Sequence, residues 1–365
     1  MHGSLVSVVM VVCNADRFLA ESIESILGQT FQGFEFIIVD FGSTDKSEAI
    51  ASSYAAKDNR IKLHKIPHCS LTEARNAGCF LAQGRYIAIM DADDISLPNR
   101  LRWEVDFMET HPDVGLLGGA RECIDETGRS FAIDDFPTED HEIKLALAVQ
   151  CTFCQSTLLI RRDAFVRAGG YRPAFVQAED YDLAMRMSEH CGCANLKQVV
   201  LKYRIHPCQL SFQKGRQQTL YKLAAQASSS LRRDGKPDSL NSVAEITPAV
   251  LAGLGVSDAR QQREVAWDRR LWIQRICMAG DYSLALEAAL EMLRSNFEYI
   301  ERWQIADLRL LAAHLYWKQR RFAMSCLTVA HVFITRPIII GRPLKPLLQW
   351  FRFSNGRQEV PSWKR

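Results

Sequence analysis

Three carboxylates crowd into four positions at the end of an apolar run. In "YIAIMDADDISLP", residues 86–98, Asp91, Asp93 and Asp94 follow Tyr86 to Met90. Like charges at that spacing repel unless a cation sits among them. A hard dication such as magnesium or manganese takes one or two carboxylates plus the phosphates of its substrate. On an extended turn Asp91 and Asp93 point the same way and can grip one ion. The competing reading is a helix start whose acids complement the macrodipole. A second cluster, "AEDYD" (Glu179, Asp180, Asp182), offers a general base for an incoming hydroxyl, or simply acids in the first turn of a helix that buries Leu183 and Met187. Asp40, ending "FEFIIVD", either accepts from the ring nitrogen of a base or makes an Asx-turn ahead of Gly42. Arg75 faces a nucleotide or is a solvated charge. His206, closing "KYRIH", touches phosphate or metal or is an ordinary core or surface histidine.

These residues need elements to position them. "SVVMVV" precedes a helix with Leu19, Ile23, Ile26 and Leu27 on one face, and "FEFIIVD" precedes one opening at "STDKSEAI", where Asp45 and Glu48 stand at capping-box spacing. "RIKLHKI" leads to a helix capped by "SLTE" (Ser70, Glu73), and "GRYIAIM" is the fourth run. Strands alternating with helices specify a mostly parallel sheet flanked by helices, which binds ligands beyond its strands' carboxyl ends. The turns "VDFGSTD" and "DADD" fall there. Ser96 and Pro98 then start a helix burying Leu101, Val105 and Met108. "VGLLGGARECIDETGRSFAI" reads as a strand with a hairpin, "STLLIRRDAFVRAGGY" as a strand and short helix, and "VVLKYRIH" as a strand.

From about residue 216 the pattern is helical. Leu286, Leu290 and Leu293 form one stripe, and Ile305, Leu308, Ala312 and Leu315 another. The expected division is a domain over 1–215 and a helical region over 216–365, with "RRDGKPDSLNS" as the boundary loop. One helical hairpin of tetratricopeptide type fits, but no repeat period supports an array.

The 365 residues suffice for two such units, and 47% apolar with 24% charged residues is an ordinary globular composition. A net charge of +3 does not advertise nucleic-acid binding. The charge is lopsided, however. From His314 onward ten Lys or Arg face only Glu359, leaving a tail of +9 and a body of −6. The N-terminal apolar run lacks a cationic leader and reads as a core strand, not a signal peptide. Eleven cysteines, an odd number, suit reduced thiols in the cytoplasm. "CTFC" runs straight into an apolar strand and "CGC" lacks a knuckle's two-residue gap, so neither is taken as a zinc site.

Taken in order, "MVVCNADRFLAESIESILGQTFQGFEFIIVDFGSTD", "SLTEARNAGCFLAQGRYIAIMDADDISLPNRL", "AEDYDLAMRM" and "YRIH" resemble the inverting family 2 glycosyltransferases across roughly residues 5–212. The resemblance implies a Rossmann-like GT-A fold and sugar transfer from a nucleotide-diphospho-sugar, most commonly a UDP-sugar, with inversion. It implies that Asp40 contacts the base, that Arg75 lies beside the nucleotide and that Asp91 and Asp93 form the DxD motif. The metal, Mn²⁺ or Mg²⁺, would bridge Asp93 to the diphosphate. Asp180 would be the base of the ED motif and His206 would sit near the diphosphate. No serine or cysteine elbow is present, which agrees with a single displacement.

Departures are visible. Phe41 stands where relatives carry a second acid, and Cys13 where a tyrosine commonly precedes Asn14. No "QxxRW" follows the ED motif, and "NRLRW" (Asn99 to Trp103) lies on the helix after the metal turn, so one addition per encounter is expected. The run Phe322 to Ile340 approaches spanning length but contains His331, Arg336 and Pro337. The basic tail with Trp317, Phe322, Phe333, Trp350 and Phe351 suits an anionic membrane surface, or else helices packed on the catalytic domain with their arginines in water. The expected acceptor is a cell-surface polysaccharide or lipid-linked glycan precursor, and the expected location is the cytoplasm, peripheral on the inner membrane face. Two rivals are a sugar-phosphate nucleotidyltransferase, which would want a Gly-rich phosphate loop that "CNADRF" does not supply, and a non-catalytic scaffold using the helical tail.

Overall fold

The computed structural model describes residues 4–207, 209, 214–295 and 302–335. Four short apolar runs become β1 (Val6–Val12), β2 (Phe34–Asp40), β3 (Ile61–Lys65) and β4 (Tyr86–Met90), in the spatial order β3-β2-β1-β4 and parallel throughout. Every residue of β1 and β4 is buried, as a strand covered on both faces requires. The crossovers are α1 (Leu19–Leu27), α2 (Ser47–Ala55) and α3 (Leu71–Leu81). Leu19, Ile23 and Ile26 of α1 join Val8, Met10, Phe36 and Ile38 in one core.

Past β4 the sheet turns mixed. The two-residue β5 (Ile95–Ser96) precedes α4 (Arg100–Thr110), β6 (Val114–Ile124) and β7 (Ser130–Asp134); α5 (Asp140–Leu147), β8 (Leu159–Arg161), α6 (Arg162–Arg167), α7 (Glu179–Ser188) and β9 (Gly192–Arg204) follow. The sheet order continues β4-β8-β6-β9-β5, with β8 antiparallel to both neighbours, β9 parallel to β6, and β7 paired with β6 as the hairpin partner. The expected α/β fold with a parallel, helix-flanked sheet is therefore present, with an antiparallel extension. Leu101, Val105 and Met108 of α4 are buried as read from the sequence. The helix begins later than expected, because Ser96 pairs with Leu201 across to β9.

Local capping follows the sequence once and departs from it once. Ser70 and Glu73 form the expected reciprocal capping box on α3. Asp45 and Glu48 do not. Asp45 instead accepts the backbone N–H groups of Asp16, at 3.0 Å, and Ser47, at 2.9 Å, tying the loop after β1 to the loop after β2.

The chain groups into two compact units, Met1–Arg204 with Ala224–Ile246 and Ile205–Leu223 with the residues from Thr247 onward. The stretch "RRDGKPDSLNS" lies wholly in the first unit, where Asp238 pairs with Arg172 at 2.8 Å. The described helices after β9 are α8 (Gly215–Arg233), α9 (Pro248–Gly253), α10 (Asp258–Ala279), α11 (Tyr282–Arg294), α12 (Arg302–Lys318) and α13 (Phe322–Thr335). The second unit has its own core, with Ile273, Leu286, Leu311 and Leu315 at its centre. Trp350, Phe351 and the rest of the apolar run beyond Thr335 lie outside the described residues.

Candidate active site

Parallel register sets the site's frame. Asp40 is level with Val12 of β1, and Met90 with Met10, so the turns after β1, β2 and β4 open on one edge of the sheet. Asp40 is buried and makes the Asx-turn: its Oδ1 accepts the N–H groups of Gly42, at 3.1 Å, and Ser43, at 2.9 Å. Its Oδ2 is buried without a hydrogen-bond partner. Both readings of this residue thus survive, because one oxygen builds the turn and the other still needs a donor. Gly42 takes φ +95°, with His68 against its Cα, and Phe41 stacks on the His68 ring at 6.4 Å. Asn14, also left-handed at φ 53°, accepts the Thr44 N–H at 2.8 Å and fastens the β1 turn to the β2 turn.

Arg75 projects from α3 and is buried, not solvated. Its Nη2 donates to Asp91 Oδ1 at 2.7 Å and its Nη1 donates to Glu179 Oε1. Burial works against its charge, but Asp91, Tyr171 and Asp180 together raise its pKa. The second oxygen of Asp91 accepts the Ser156 hydroxyl at 2.8 Å, so both are engaged by protein donors. Ser156 comes from the short 3-10 turn ahead of β8, the strand beside β4.

Asp180 is the second residue of α7 and half-buried, its Oδ1 accepting the Tyr181 N–H at 2.7 Å. Burial raises its pKa and Asp91 adds to the rise, while Arg75 and the helix amide oppose it. A carboxylate that takes up a proton more readily than a free aspartate is better suited to general-base work near neutral pH.

The "DADD" turn is held from behind by Arg204, which no sequence pattern singled out. Its backbone N–H donates to Asp94 Oδ1 at 2.9 Å, its Nε donates to the Asp93 carbonyl at 2.9 Å, and its guanidinium covers the Phe18 ring at 4.4 Å. Asp94 is fully buried with Oδ2 unpartnered. Burial, then Asp93 and Asp91, push its carboxyl well above the usual range. Asp93 is half-exposed.

Oxygen donors at a strand end fit a magnesium-type ion, and a half-exposed carboxylate beside a substrate diphosphate is the ligand set such ions take. Among the described residues no three His, Cys, Asp or Glu side chains converge as an all-protein cage. The Cys154 thiol instead meets Arg121 and the Cys151 thiol donates to the Phe153 carbonyl.

The structure therefore brings Arg75, Asp91 and the Glu179–Asp180 pair together, keeps Asp93 on the same turn, and sets Asp40 at the end of β2, two strand spacings or about 10 Å across the sheet. His206 lies two residues past β9, half-buried, in the second unit. Ser156, Arg204 and Asn14 were missed; their roles come from topological neighbours far away in sequence.

Residues 7–168 match the domain described as Glycosyl transferase family 2. The O-antigen biosynthesis glycosyltransferase WbnJ of Escherichia coli is 32% identical over 206 residues, covering 55% of this chain and 80% of that protein. Among solved structures, Staphylococcus aureus TarS 1–349 in complex with UDP-GlcNAc superposes with a TM-score of 0.54 at 16% identity, covering 88% of this chain and 90% of that one. The mannosyltransferase PcManGT of Pyrobaculum calidifontis, in complex with GDP-Man and Mn²⁺, gives 0.50 at 17% identity, over 90% and 86%. At these identities the two structures speak to the fold.

Proposed function

Because the chain belongs to glycosyl transferase family 2, we propose that it is an inverting, metal-dependent enzyme moving one sugar from a nucleotide-diphospho-sugar to an acceptor hydroxyl. The observation that carries this reading is the Arg75 bridge from Asp91 to Glu179, which gathers both acid motifs around Asp180. Asp40 Oδ2 is the acceptor for a base N–H, and Arg75 lies beside the nucleotide. Asp93, with Asp91 fixed behind it, would hold Mn²⁺ or Mg²⁺ against the donor diphosphate. Bound there, the ion would neutralise charge on the departing diphosphate.

The chain's own part is to remove one proton at the right moment. Asp180 accepts it from the acceptor hydroxyl as that oxygen bonds to the anomeric carbon. The bond from that carbon to the diphosphate oxygen breaks on the opposite face, and the nucleoside diphosphate leaves with the electron pair. One displacement inverts the centre, and no covalent enzyme intermediate forms.

A UDP-sugar is the donor we assign first, in keeping with the UDP-GlcNAc held by TarS. GDP-sugars come next, given the GDP-Man held by PcManGT. The name of WbnJ supports a polysaccharide precursor as acceptor, and a lipid-linked one would place the enzyme in the cytoplasm, peripheral on the inner membrane face. Within the described residues no helix is long and apolar enough to cross a membrane. The test is a panel of nucleotide-sugars with Mn²⁺, scored by nucleoside diphosphate release. Asp180→Asn should lower turnover about 10²–10⁴-fold with UDP affinity retained. Undiminished turnover in that variant would refute the assignment of the base.

A further inference from the structure

The helical unit contains a tandem repeat that residue identity conceals. The left-handed residues Gly280 and Arg320, at φ 92° and 60°, stand forty positions apart, and the helices they introduce start at Tyr282 and Phe322, again forty apart. Burial keeps the same register. Ala266 and Ala306, Ile273 and Ala313, Ile276 and Tyr316, Ala285 and Ser325, and Met292 and Val332 are all buried pairs at that offset. Helices α10 and α11 are one helix-pair unit, and α12 and α13 are its copy.

The two copies differ at one face. Leu286 and Ala289 of α11 are buried in the core shared with α12, whereas their equivalents on α13 are the exposed Cys326 and the half-buried Val329. Beside them Leu327 is 65% and Ile334 81% exposed, and Phe333 is exposed too. Stacked repeats ordinarily end in a unit with a polar outer face. Here the last described helix, α13, is apolar and carries no Asp, Glu, Lys or Arg between Phe322 and Thr335.

Charge identifies the occupant. Exposed Lys318, Arg320 and Arg321 lead into α13, Arg336 follows it, and no acid occurs between Asp307 and Glu359. A second copy seated on this face would set cations against cations, and residues 336–358 of the same chain add more of them. An anionic lipid surface instead accepts the cations at its phosphates and the apolar side chains at its acyl boundary. We propose that the open face of α13, centred on Leu327, Phe333 and Ile334, is the surface that seats this protein on an anionic bilayer. The inference deepens the peripheral placement proposed above and rests on it only for its biological sense.

The test is sedimentation of the full chain with vesicles of phosphatidylglycerol and phosphatidylcholine, against vesicles of phosphatidylcholine alone. Binding should be confined to the anionic vesicles, fall at least about tenfold between about 0.05 and 0.5 M salt, and fall at least about tenfold in the Leu327→Glu/Ile334→Glu double variant. The melting midpoint of that variant, its mass by light scattering and its nucleoside diphosphate release should match the parent. Equal binding to neutral vesicles, or unchanged binding by the double variant, overturns the proposal. A dimer that the double variant dissociates overturns it in favour of a second copy, and a markedly lowered midpoint in favour of cover by the chain itself. Vesicle binding needs no turnover, so failure here leaves the transferase reading untouched, and the reverse.

Discussion

At the scale of single residues, Arg75 is what ties the two acid motifs together. A planar guanidinium can hold carboxylates from two elements at once, and a lysine ammonium cannot reproduce that fork. Arg75→Lys is therefore expected to lower kcat about 10–100-fold, a misplacement effect, while the folded state persists. The charge matters separately. Burial raises the Asp180 pKa, Asp91 adds to the rise, and Arg75 opposes it. A base works only when deprotonated, so the acid limb of the kcat/KM profile should sit above the range of a free aspartate. In Arg75→Met the opposing charge is gone and that limb should move to higher pH; a limb that stayed in place would remove Arg75 from the site's electrostatics. Asp91 shows why reading acids from spacing alone has a limit. The sequence presents Asp91 and Asp93 as equivalent, and the fold engages both oxygens of the first with Arg75 and Ser156.

At the scale of elements, α4 shows how a motif can mislead and what its residues do instead. In "NRLRW", Arg100 is fully buried, donating to Glu104 at 2.9 Å and to the Ile89 carbonyl at 3.0 Å, so it braces the back of β4 below the Asp91–Asp94 turn. Burial pushes the Glu104 carboxyl up to about 7, with Arg100 pulling the other way. A raised folded-state value means the native protein holds a proton that the unfolded chain has released between about pH 4.5 and 7, so stability should fall as pH rises through that window. Glu104→Gln should flatten the dependence, by up to about 3 kcal/mol between pH 5 and 8. Urea melts at both pH values measure it, and an unchanged slope would show the pair ionised throughout. The strands and amphipathic helices were legible because periodicity is local: β1, β4 and the buried faces of α1 and α4 follow from neighbouring residues. What escaped was non-local. Asp45 sits at capping-box spacing yet serves the β1 loop. Ser156 meets Asp91 only because β8 pairs with β4. The repeat conserves burial and a turn conformation while Gly280 becomes Arg320 and Ile273 becomes Ala313, so no identity count reveals it.

At the scale of the whole molecule, the described residues build two cores with different logic. The first joins strands distant in sequence, with Val8, Phe36, Ala88 and Leu159 in one cluster, and the turns bearing Asp40, Asp91 and Asp93 emerge from it. The second is assembled from successive helix pairs, and the cores share no residue. A ligand stabilises the structure that binds it by mass action, about 2.7 kcal/mol at a concentration one hundred times Kd. Hydrogen exchange with UDP and Mn²⁺ should therefore slow at 13–18, 40–46, 70–75, 91–96 and 179–182, the segments that carry the candidate site. Helices α10 to α13 should exchange as they do without ligand. The contrast is informative because exchange reports opening of each cooperative unit separately. Slowing confined to the turns after β1 and β2 would mean that the nucleotide binds without engaging Asp91 or Asp180, and the proposed division of labour between the base-binding turn and the two acid motifs would then be wrong. Equal slowing across α10 to α13 would mean that donor binding is coupled to the helical core. Slowing in the five named segments alone is the pattern expected of a transferase whose donor chemistry is built entirely on the sheet's carboxyl edge.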